Sequence, residues 1–359
     1  MSTTKPTLSD VATHAKVSLS TASLAFKESG PIADSTRNRV LAAAEELGYP
    51  GPSALGRQLR SGRSGIVGVV LDAALRMSFR DPVSISVLDG IARGLGEHGI
   101  GVLMIPGAKN PNDPHTINPL IESAAFDAAI LTWGGQPGDP TYELLNKMQI
   151  PMVFAEGRKA GTTPLVNIDD RAGTKVLTEY LVGLGHTRIA VVTLNLNTGN
   201  SPGPMSDDLD DSHWMPSHDR LRGVYDAGVT PVTVWEASGS LIEEGQLAAR
   251  TILDPAHYGS PDLVPTAVIA QSDLLAIGVL QEARAMGLEV PQDLSVAGFD
   301  GINLAWLGQD VLTTVRQPLE QRGMILAQTV LELLDAGTAP DVILPSELYI
   351  GTTTAPPAR

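Results

Sequence analysis

The chain has no cysteine among its 359 residues. This absence excludes disulfide bonds and thiolate metal sites. Aromatic residues make up only 4% and charged residues 18%, against 43% hydrophobic residues, so the chain can bury a sizeable core. It has no run of eighteen apolar residues, and its first residues lack the charged-then-apolar pattern of a signal peptide. These absences predict a globular, cytoplasmic protein of two or three domains without membrane contact.

Positive charge is scarce overall but concentrated at one end of the chain. The formal net charge is −15, yet residues 1–64 hold eight lysines and arginines against five acidic residues, a net of +3. The remaining residues therefore carry −18. A basic end on an acidic body can approach phosphates while the body is repelled from them. This distribution favours an N-terminal contact with nucleic acid, although a segment of +3 also arises by chance.

The first 50 residues carry the signals of three short helices. Thr7 and Asp10 form a capping box for a helix over about residues 8–14. Ser18 is a natural N-cap for a second helix, and the stretch 34–47 predicts a third, amphipathic helix. Three short helices with a polar second one are typical of a helix-turn-helix DNA reader. A small helical bundle that contacts no nucleic acid is the alternative.

Three sequence blocks make the interpretation more specific. They are LSDVATHAKVSLSTAS from residue 8, TRNRVLAAAEELGY at 36–49 and ALGRQLRSGRSGIVGVVL at 54–71. Together they resemble the lactose/galactose-repressor (LacI/GalR) family of bacterial transcription factors. The resemblance implies a helix-turn-helix headpiece, a hinge helix, and an α/β two-lobed core of the periplasmic-binding-protein type with two parallel sheets. Such a core binds a small effector, usually a sugar or nucleobase.

The resemblance also implies where the parts of the chain lie. The headpiece would span 1–50, the hinge or linker 51–64, the DNA-proximal lobe 65–160, the distal lobe 161–290, and recrossing segments with a C-terminal helix 291–359. The chain ends without a heptad tail, so we expect no coiled-coil tetramer. A homodimer on a pseudo-palindromic double-stranded operator is the expected assembly.

In the headpiece, the resemblance assigns DNA contacts to the second helix and its flanks. Base edges would face Leu19, Ser20 and Leu24, and the backbone would be nearer the polar residues Thr7, Ser18, Thr21 and Ser23. Leu24 stands where most family members carry an arginine, which is the side chain best suited to a bidentate contact with guanine. The operator sequence is therefore left open. Lys16 replaces the family's usual turn glycine and is expected to adopt a strained turn or to reach a phosphate.

The hinge is expected to contact DNA as well. Pro50 and Pro52 interrupt the third helix, and a short helix from about residue 54 to 60 follows. Leu59 matches the leucine that family members insert into the minor groove, where it kinks the duplex. Arg57 would meet a phosphate. An inert linker is the alternative for this stretch.

Beyond residue 65, buried strand-like runs alternate with helical stretches. Continuous apolar strands separated by helices predict parallel sheets covered on both faces. Ligands bind beyond the carboxyl ends of such strands, so the effector should lie between the two lobes. The candidate strands are 66–71, 101–106, 128–133, 151–156, 189–194, 232–237, 267–272 and 294–300.

Several residues at these strand ends match effector positions of the family. Arg220, in DRLRG, matches an arginine that holds ligand hydroxyls or a carboxylate, and Asp300 matches an acidic position that accepts bonds from sugar hydroxyls. Asp81 and Glu156 also match such positions, although either could be an ordinary surface charge. Trp133 is assigned either to ligand stacking or to core packing.

A strand-to-helix junction adds one more effector candidate. Ser272 would face the cleft there. We expect its neighbour Asp273 to cap the following helix without contacting a ligand.

Two motifs that point to enzymes are discounted. GLGEHG at 94–99 follows a helix and precedes a strand, the reverse of a dinucleotide site, and GNSPG at 199–203 is not followed by a helix.

The long loop 195–217 contains His213 and four aspartates, which could bind a metal ion. We prefer the interpretation as a solvated insertion, and a lid over the effector cleft is a hypothesis for its role. We therefore expect no catalytic residue, no metal and no cofactor.

The sequence as a whole predicts a transcriptional repressor controlled by an effector, which is expected to be a sugar. Effector binding would change the angle between the lobes and so the affinity for operator DNA. The alternatives are a solute-binding protein of the same two-lobed fold and an α/β enzyme. Whether the effector releases DNA or is needed to hold it stays open.

Overall fold

The chain was analysed as a computed structural model. It describes residues 6–26, 32–51, 62–71, 75–110, 113–134, 138–196, 201–205, 209, 214–303 and 310–358. The chain divides into two compact units, Met1–Gly65 and Ile66–Arg359. Among the described helices, none is long and apolar enough to span a bilayer.

The first unit contains the three predicted helices, α1 (Leu8–His14), α2 (Leu19–Ala25) and α3 (Asp34–Glu46). The capping box of α1 is present in both directions, and the Ser18 hydroxyl caps α2 by accepting the N–H of Thr21. Lys16 adopts the left-handed conformation with φ 53°, which confirms the strained turn expected where the family has glycine. The core is small because it is built largely from alanine, which lets the helices approach closely. Its buried members are Val11, Ala12, Ala15, Ala22, Ala25, Val40, Ala43 and Ala44.

The second unit begins with a parallel sheet of four strands. These are β1 (Ile66–Leu71), β2 (Gly101–Pro106), β5 (Ala128–Leu131) and β6 (Met152–Phe154), in the order β2-β1-β5-β6. The intervening elements are helix α4 (Leu75–Ser78), α5 (Pro82–Gly96), strands β3 (Ala108–Asn110) and β4 (Asp113–Ile117), α6 (Leu120–Ser123) and α7 (Pro140–Lys147). We call this sheet and the helices packed on it the first lobe.

A larger sheet of seven strands forms the second lobe. Five of its strands are parallel: β8 (Ile189–Thr193), β10 (Thr233–Glu236), β11 (Ala267–Ala270), β12 (Ser295–Asp300) and β13 (Thr313–Arg316). Strands β9 (Gly203–Pro204) and β15 (Glu347–Tyr349) are antiparallel edges. The helices are α8 (Asp170–Gly183), α9 (Met215–Asp226), α10 (Ile242–Ile252), α11 (Pro255–Tyr258) and α12 (Asp273–Ala285), with a 3₁₀ turn at Pro261–Leu263. All eight strands predicted from apolar runs are confirmed, with shorter ends in most cases.

The chain returns to the first lobe before it ends. Helix α13 (Leu319–Ala336) packs along α5, as expected for the C-terminal helix, and β14 (Val342–Leu344) pairs in parallel with β7 (Val166–Ile168). The two helices touch at a pair of glycines: a Cβ atom on Gly90 would lie 2.2 Å from the Glu320 carbonyl oxygen, and one on Gly323 would lie 2.1 Å from that of Val87. Helix α13 therefore has a fixed position over the first sheet.

Helix α5 also tests one of the discounted motifs. It ends at Gly96, inside the GLGEHG run, and β2 follows at Gly101. The glycines thus close a helix, as expected, and do not open one.

Candidate functional site

The second helix of the first unit presents its polar side outward. Leu19 is 54% exposed, and Ser18 and Ser20 are also exposed, while Ala22 and Ala25 are buried on the opposite side. Thr21, Ser23 and Leu24 are half-buried. The Ser18 hydroxyl lies 2.8 Å from the hydroxyls of both Ser20 and Thr21, which orders this face. The helix can therefore offer one apolar side chain, flanked by hydroxyls, to a groove of DNA.

Thr7 is the N-cap of α1. Its backbone N–H and its hydroxyl both donate to the Asp10 carboxylate, at 2.8 Å and 2.7 Å. These hydrogen bonds lower the pKa of Asp10. The two hinge candidates, Arg57 and Leu59, lie outside the described residues.

A cavity of about 380 Å³ lies between the two lobes. The first lobe contributes residues at the start of α5 and the end of β6, and the second lobe contributes the ends of β8 and β10 and the start of α9. Five serines are among its lining residues, and most of its surface is apolar. The residues are Ser78, Arg80, Asp81, Ser84, Glu156, Leu194, Asn195, Trp214, Pro216, Ser217, Ser238, Gly239, Ser240 and Leu241.

Two of the predicted effector residues, Asp81 and Glu156, line this cavity. Asp81 is the N-cap of α5 and accepts the N–H groups of Val83 and Ser84 at 3.1 Å each and the Ser84 hydroxyl at 2.7 Å. Glu156 follows β6 and pairs with Arg322 Nη2 at 2.9 Å. Both carboxylates are thus held in place by protein groups while they face the space between the lobes.

Arg220 and Asp300, the other two charged candidates, lie in a buried cluster of the second lobe. Arg220 donates from Nε to Asp170 at 2.8 Å, donates to the Gln271 carbonyl oxygen, and has Nη1 3.5 Å from Asp300 Oδ1. Its guanidinium lies 3.8 Å from the ring centroid of Phe299. Neither Arg220 nor Asp300 is among the residues that line the cavities the structure describes.

The cluster holds more buried negative charge than this guanidinium balances. Burial raises the pKa of Asp170 and of Asp300, although the charge of Arg220 opposes the rise in both. Burial also raises the pKa of Asp273 to about 7, against hydrogen bonds from Thr314 and from the N–H groups of Ile302 and Gly301. A buried carboxylate that lacks a full countercharge is more easily kept protonated. A protonated carboxyl donates one hydrogen bond and also accepts, so the cluster can match donors and acceptors alike.

The junction after β11 corrects one prediction. The cap of α12 is Ser272, not Asp273, because Ser272 has the extended backbone that an N-cap requires, and its hydroxyl accepts the N–H of Leu275. Asp273 instead holds the loop after β12 by accepting the N–H groups of Gly301 and Ile302 at 2.8 Å and 2.9 Å. Ser272 also accepts a bond from the hydroxyl of Ser240, which lines the cavity.

Of the two tryptophans near the predicted site, Trp133 belongs to the core of the first lobe. It is 8% exposed, and its indole N–H donates to Asp139. Trp214 lines the cavity instead, at the N-cap position of α9. The sequence does contain a signal for Trp214. Pro216 marks the first turn of a helix, and the residues just before a helix face the cleft in this fold.

Sequence reasoning also missed three polar residues around the site. Arg80 reaches across the cleft and pairs with Glu243 of the second lobe at 3.2 Å. Gln317 donates to Asp300 at 2.7 Å, and Arg322 pairs with Glu156. The loop 195–217 is described only at 195–196, 201–205, 209 and 214–217, so its role as a lid stays a prediction.

Comparison with known proteins agrees with this architecture. A family model described as "Bacterial regulatory proteins, lacI family" matches residues 7–51. Residues 65–203 match "Periplasmic binding proteins and sugar binding domain of LacI family", and residues 178–354 match a periplasmic binding protein-like domain.

Proteins that match nearly the whole chain are also transcriptional regulators. The chain is 30% identical to the HTH-type transcriptional regulator IpsA of Corynebacterium glutamicum, over 98% of each chain. It is 32% identical to the HTH-type transcriptional repressor CytR of Escherichia coli, over 92% of this chain and 90% of CytR. The structure of the regulator CelR in complex with cellobiose aligns with a TM-score of 0.66 and 26% identity, over 97% of this chain and 99% of that one. The chain therefore belongs to the LacI family of DNA-binding transcriptional regulators.

Proposed function

We propose that this regulator is a repressor whose affinity for operator DNA is controlled by a neutral, polyhydroxylated effector of the sugar type. The effector binds between the two lobes. The observation that carries the proposal is the cavity of about 380 Å³, whose walls come from both lobes. A ligand that touches both walls has a different free energy of binding when the angle between the lobes changes, which is the condition for control of a second site.

The chemistry of the cavity supports a polyol. Five serines line its walls, and the hydroxyls of Ser84, Ser217 and Ser240 are held in place because they donate to Asp81, the Asn195 carbonyl oxygen and Ser272. Hydroxyls both donate and accept hydrogen bonds, and carboxylates accept them, so the lining can match a ligand rich in hydroxyl groups. The apolar ring of Trp214 offers a flat surface for the hydrogens of a sugar ring.

The charge of the cavity supports a neutral ligand. Arg80 pairs with Glu243, and Arg322 pairs with Glu156, so the cations near the cleft already have countercharges. Asp81 adds a carboxylate that serves as a helix cap. CelR, a relative at 26% identity, was solved with cellobiose, which is a neutral disaccharide. This likeness supports a neutral sugar here without naming it.

On the DNA side, we propose that a homodimer reads a pseudo-palindromic operator. The α2 helix would lie in the major groove, with Leu19 against a thymine methyl and the surrounding hydroxyls near phosphates. A dimer places two such helices on half-sites related by two-fold symmetry. Arg57 and Leu59 are proposed to add phosphate and minor-groove contacts at the operator centre.

The first test is selection of bound duplexes from a random DNA pool with the full-length chain. Enrichment of a two-fold symmetric site is expected, and its affinity should fall steeply with added salt. The selected duplex is then titrated in the presence of a panel of neutral sugars and, as controls, their phosphate esters. Release or tightening by a neutral sugar supports the proposal. A response only to charged ligands would reject the neutral effector. If no site is enriched, the selection is repeated with the sugar panel present, and failure in both selections would reject operator recognition.

The family matches favour the regulator over its alternatives. A solute-binding protein for transport has no use for a DNA-binding segment, and residues 7–51 match the lacI regulatory model. The relatives named above are regulators and not enzymes.

A further inference from the structure

Gln271, the first residue after β11, lies behind the wall that the second lobe gives to the cleft. It is 1% exposed and is not among the residues that line the cavities the structure describes. Its side-chain amide is used at both ends: Oε1 accepts the N–H of Leu194 at 3.0 Å, and Nε2 donates to the Ser217 carbonyl oxygen at 2.9 Å. Both partners line the cleft. One buried amide therefore joins two cavity-lining segments that are far apart along the chain.

These two segments are the ends of the long loop that follows β8. The ends are also tied to each other. The N–H of Trp214 donates to the Leu196 carbonyl oxygen at 3.2 Å, and the Ser217 hydroxyl donates to the Asn195 carbonyl oxygen at 2.8 Å. The base of the loop thus has a fixed geometry, and Gln271 attaches this base to the sheet.

Gln271 also fixes the rotation of α9. Its side chain holds the Ser217 carbonyl oxygen, and its own backbone carbonyl oxygen accepts a hydrogen bond from Arg220, one turn further along the helix. Residues three positions apart lie on one face of a helix, so the two bonds together set the direction of that face. Trp214 is the N-cap of α9 and lines the cleft. Its position at the cleft therefore depends on the bonds that Gln271 makes.

The position of Gln271 requires a side chain that donates on one side and accepts on the other. A neutral amide does both, methionine of similar length supplies neither a donor nor a strong acceptor, and an ionised glutamate only accepts. A protonated glutamate again donates and accepts. Burial favours this protonated form, although the charge of Arg220 opposes it. Glutamate and methionine therefore separate the hydrogen bonds of this position from its packing.

Resting on the proposed function, we propose that Gln271 is the positioning residue of the effector site. It does not contact the effector. Its amide holds Leu194 and the first turn of α9, and thereby presents Trp214 to a ligand in the cleft. The contribution of Gln271 to effector affinity passes through Trp214.

Hydrogen exchange of the unliganded full chain tests these contacts without a ligand. Gln271→Met should speed the exchange of the Leu194 N–H and of the N–H groups at the start of α9 by about tenfold, the scale of one lost hydrogen bond. Thr353→Val is the matched control. Thr353 is equally buried and bonds Val296 and Thr313, near the starts of β12 and β13, at the end of the sheet opposite the cleft. Its replacement should leave the exchange of both segments as slow as in wild type.

The binding test uses glucose, galactose, ribose and cellobiose as probes, titrated by calorimetry into the full chain. For each sugar that binds, Gln271→Met should weaken the affinity by about tenfold, and Thr353→Val should not change it. In a chain that already carries Trp214→Ala, Gln271→Met should add almost no further loss. Two residues that act through one contact give such non-additive losses.

Gln271→Glu tests whether the hydrogen bonds carry the effect. Its sugar affinity relative to wild type at the same pH should improve as the pH falls from about 8 to about 5, because protonation restores the donor. The relative affinity of Gln271→Met should stay constant over this range. Far-ultraviolet circular dichroism checks that each variant is folded, and Gln271→Glu keeps the test intact if Gln271→Met is not.

The possible results are distinguishable. Unchanged exchange in Gln271→Met, or a loss of affinity that adds fully to that of Trp214→Ala, would overturn the inference and leave the proposed function standing. If Gln271→Glu binds as weakly as Gln271→Met down to the lowest pH, the role of the donor is overturned. If no sugar binds the wild-type chain, the sugar-type effector is rejected, and the hydrogen exchange alone decides whether Gln271 holds the wall of the cleft.

Discussion

Arg220 and Asp170 form an ion pair with 2.8 Å between Nε and Oδ1, and each side chain is only 6% exposed. Asp170 is the first residue of α8, and Arg220 lies in the middle of α9, so the pair joins two helices on one face of the second sheet. The same guanidinium stacks on Phe299 of β12. This arginine therefore organises its lobe even without a ligand.

Replacing Arg220 with leucine should destabilise the second lobe severely. The change leaves Asp170 and Asp300 buried without their countercharge, and loss of one partner of a buried pair typically costs about 3–5 kcal/mol. Urea unfolding of the full chain measures the effect. Arg171→Leu is the matched control, because Arg171 pairs with Asp226 on the surface and should matter far less. Equal losses in the two variants would contradict the structural role of Arg220.

The contribution of the buried Asp273 carboxyl to stability should fall as the pH rises from about 4 to about 7. Asp273 has a pKa of about 7 in the folded chain, raised from 3.8 mainly by burial, so between these values the folded state binds more protons than the unfolded state. Burial raises the pKa of Asp170 and Asp300 as well, which gives the same sign.

Asp273→Asn tests this pH dependence, because the amide cannot titrate. Its free energy of unfolding should decline less over the same interval than that of the wild-type chain. Asp335→Asn makes the same chemical change at an exposed position and should follow the wild-type curve. Parallel curves for wild type and Asp273→Asn would show that this carboxyl does not titrate in the window.

Leu19→Ala should weaken binding to the selected operator by about tenfold, the scale of one lost base contact. Leucine carries no charge, so the slope of affinity against salt and the binding to random DNA should stay the same. Fluorescence anisotropy at several salt concentrations measures both. Leu41→Ala, which removes a 41% exposed leucine from α3, is the control and should bind as wild type does. An unchanged operator affinity in Leu19→Ala would remove Leu19 from the base-reading role.

Trp214→Ala should weaken effector binding by roughly tenfold or more, because the flat apolar wall of the cleft is lost. Trp133→Phe should leave effector affinity close to that of wild type, since Trp133 packs in the core of the first lobe. Calorimetry with the sugar identified by the operator screen compares the two variants. The reverse pattern would return the stacking role to Trp133.

Local and periodic features of the fold were predictable from the sequence. The caps at Thr7 and Ser18 depend on residues three positions apart, and eight of the parallel strands fall in continuous apolar runs. The short strands β7, β14 and β15 escaped prediction, because they have three residues each and exist only through pairing with distant segments. Periodicity carries no signal for such pairing.

The candidate site residues came from the family resemblance, and their grouping was not predictable from the sequence. The structure places Asp81 and Glu156 at the cavity, and Arg220 and Asp300 in the buried cluster of the second lobe. The separation depends on Asp170, Gln271 and Gln317, which lie far from Arg220 along the chain and occupy its guanidinium or Asp300. The core position of Trp133 could not be predicted, since burial of a tryptophan is a property of tertiary packing.

The return of the chain to the first lobe has a consequence for its biosynthesis. The sheet of that lobe is made early, but the core on one of its faces includes Leu326, Ala327, Val330 and Leu333 of α13. A ribosome must therefore translate most of the second lobe before this face can be covered. During that interval the nascent chain exposes an apolar sheet, and the lobe whose strands are made first completes its folding late.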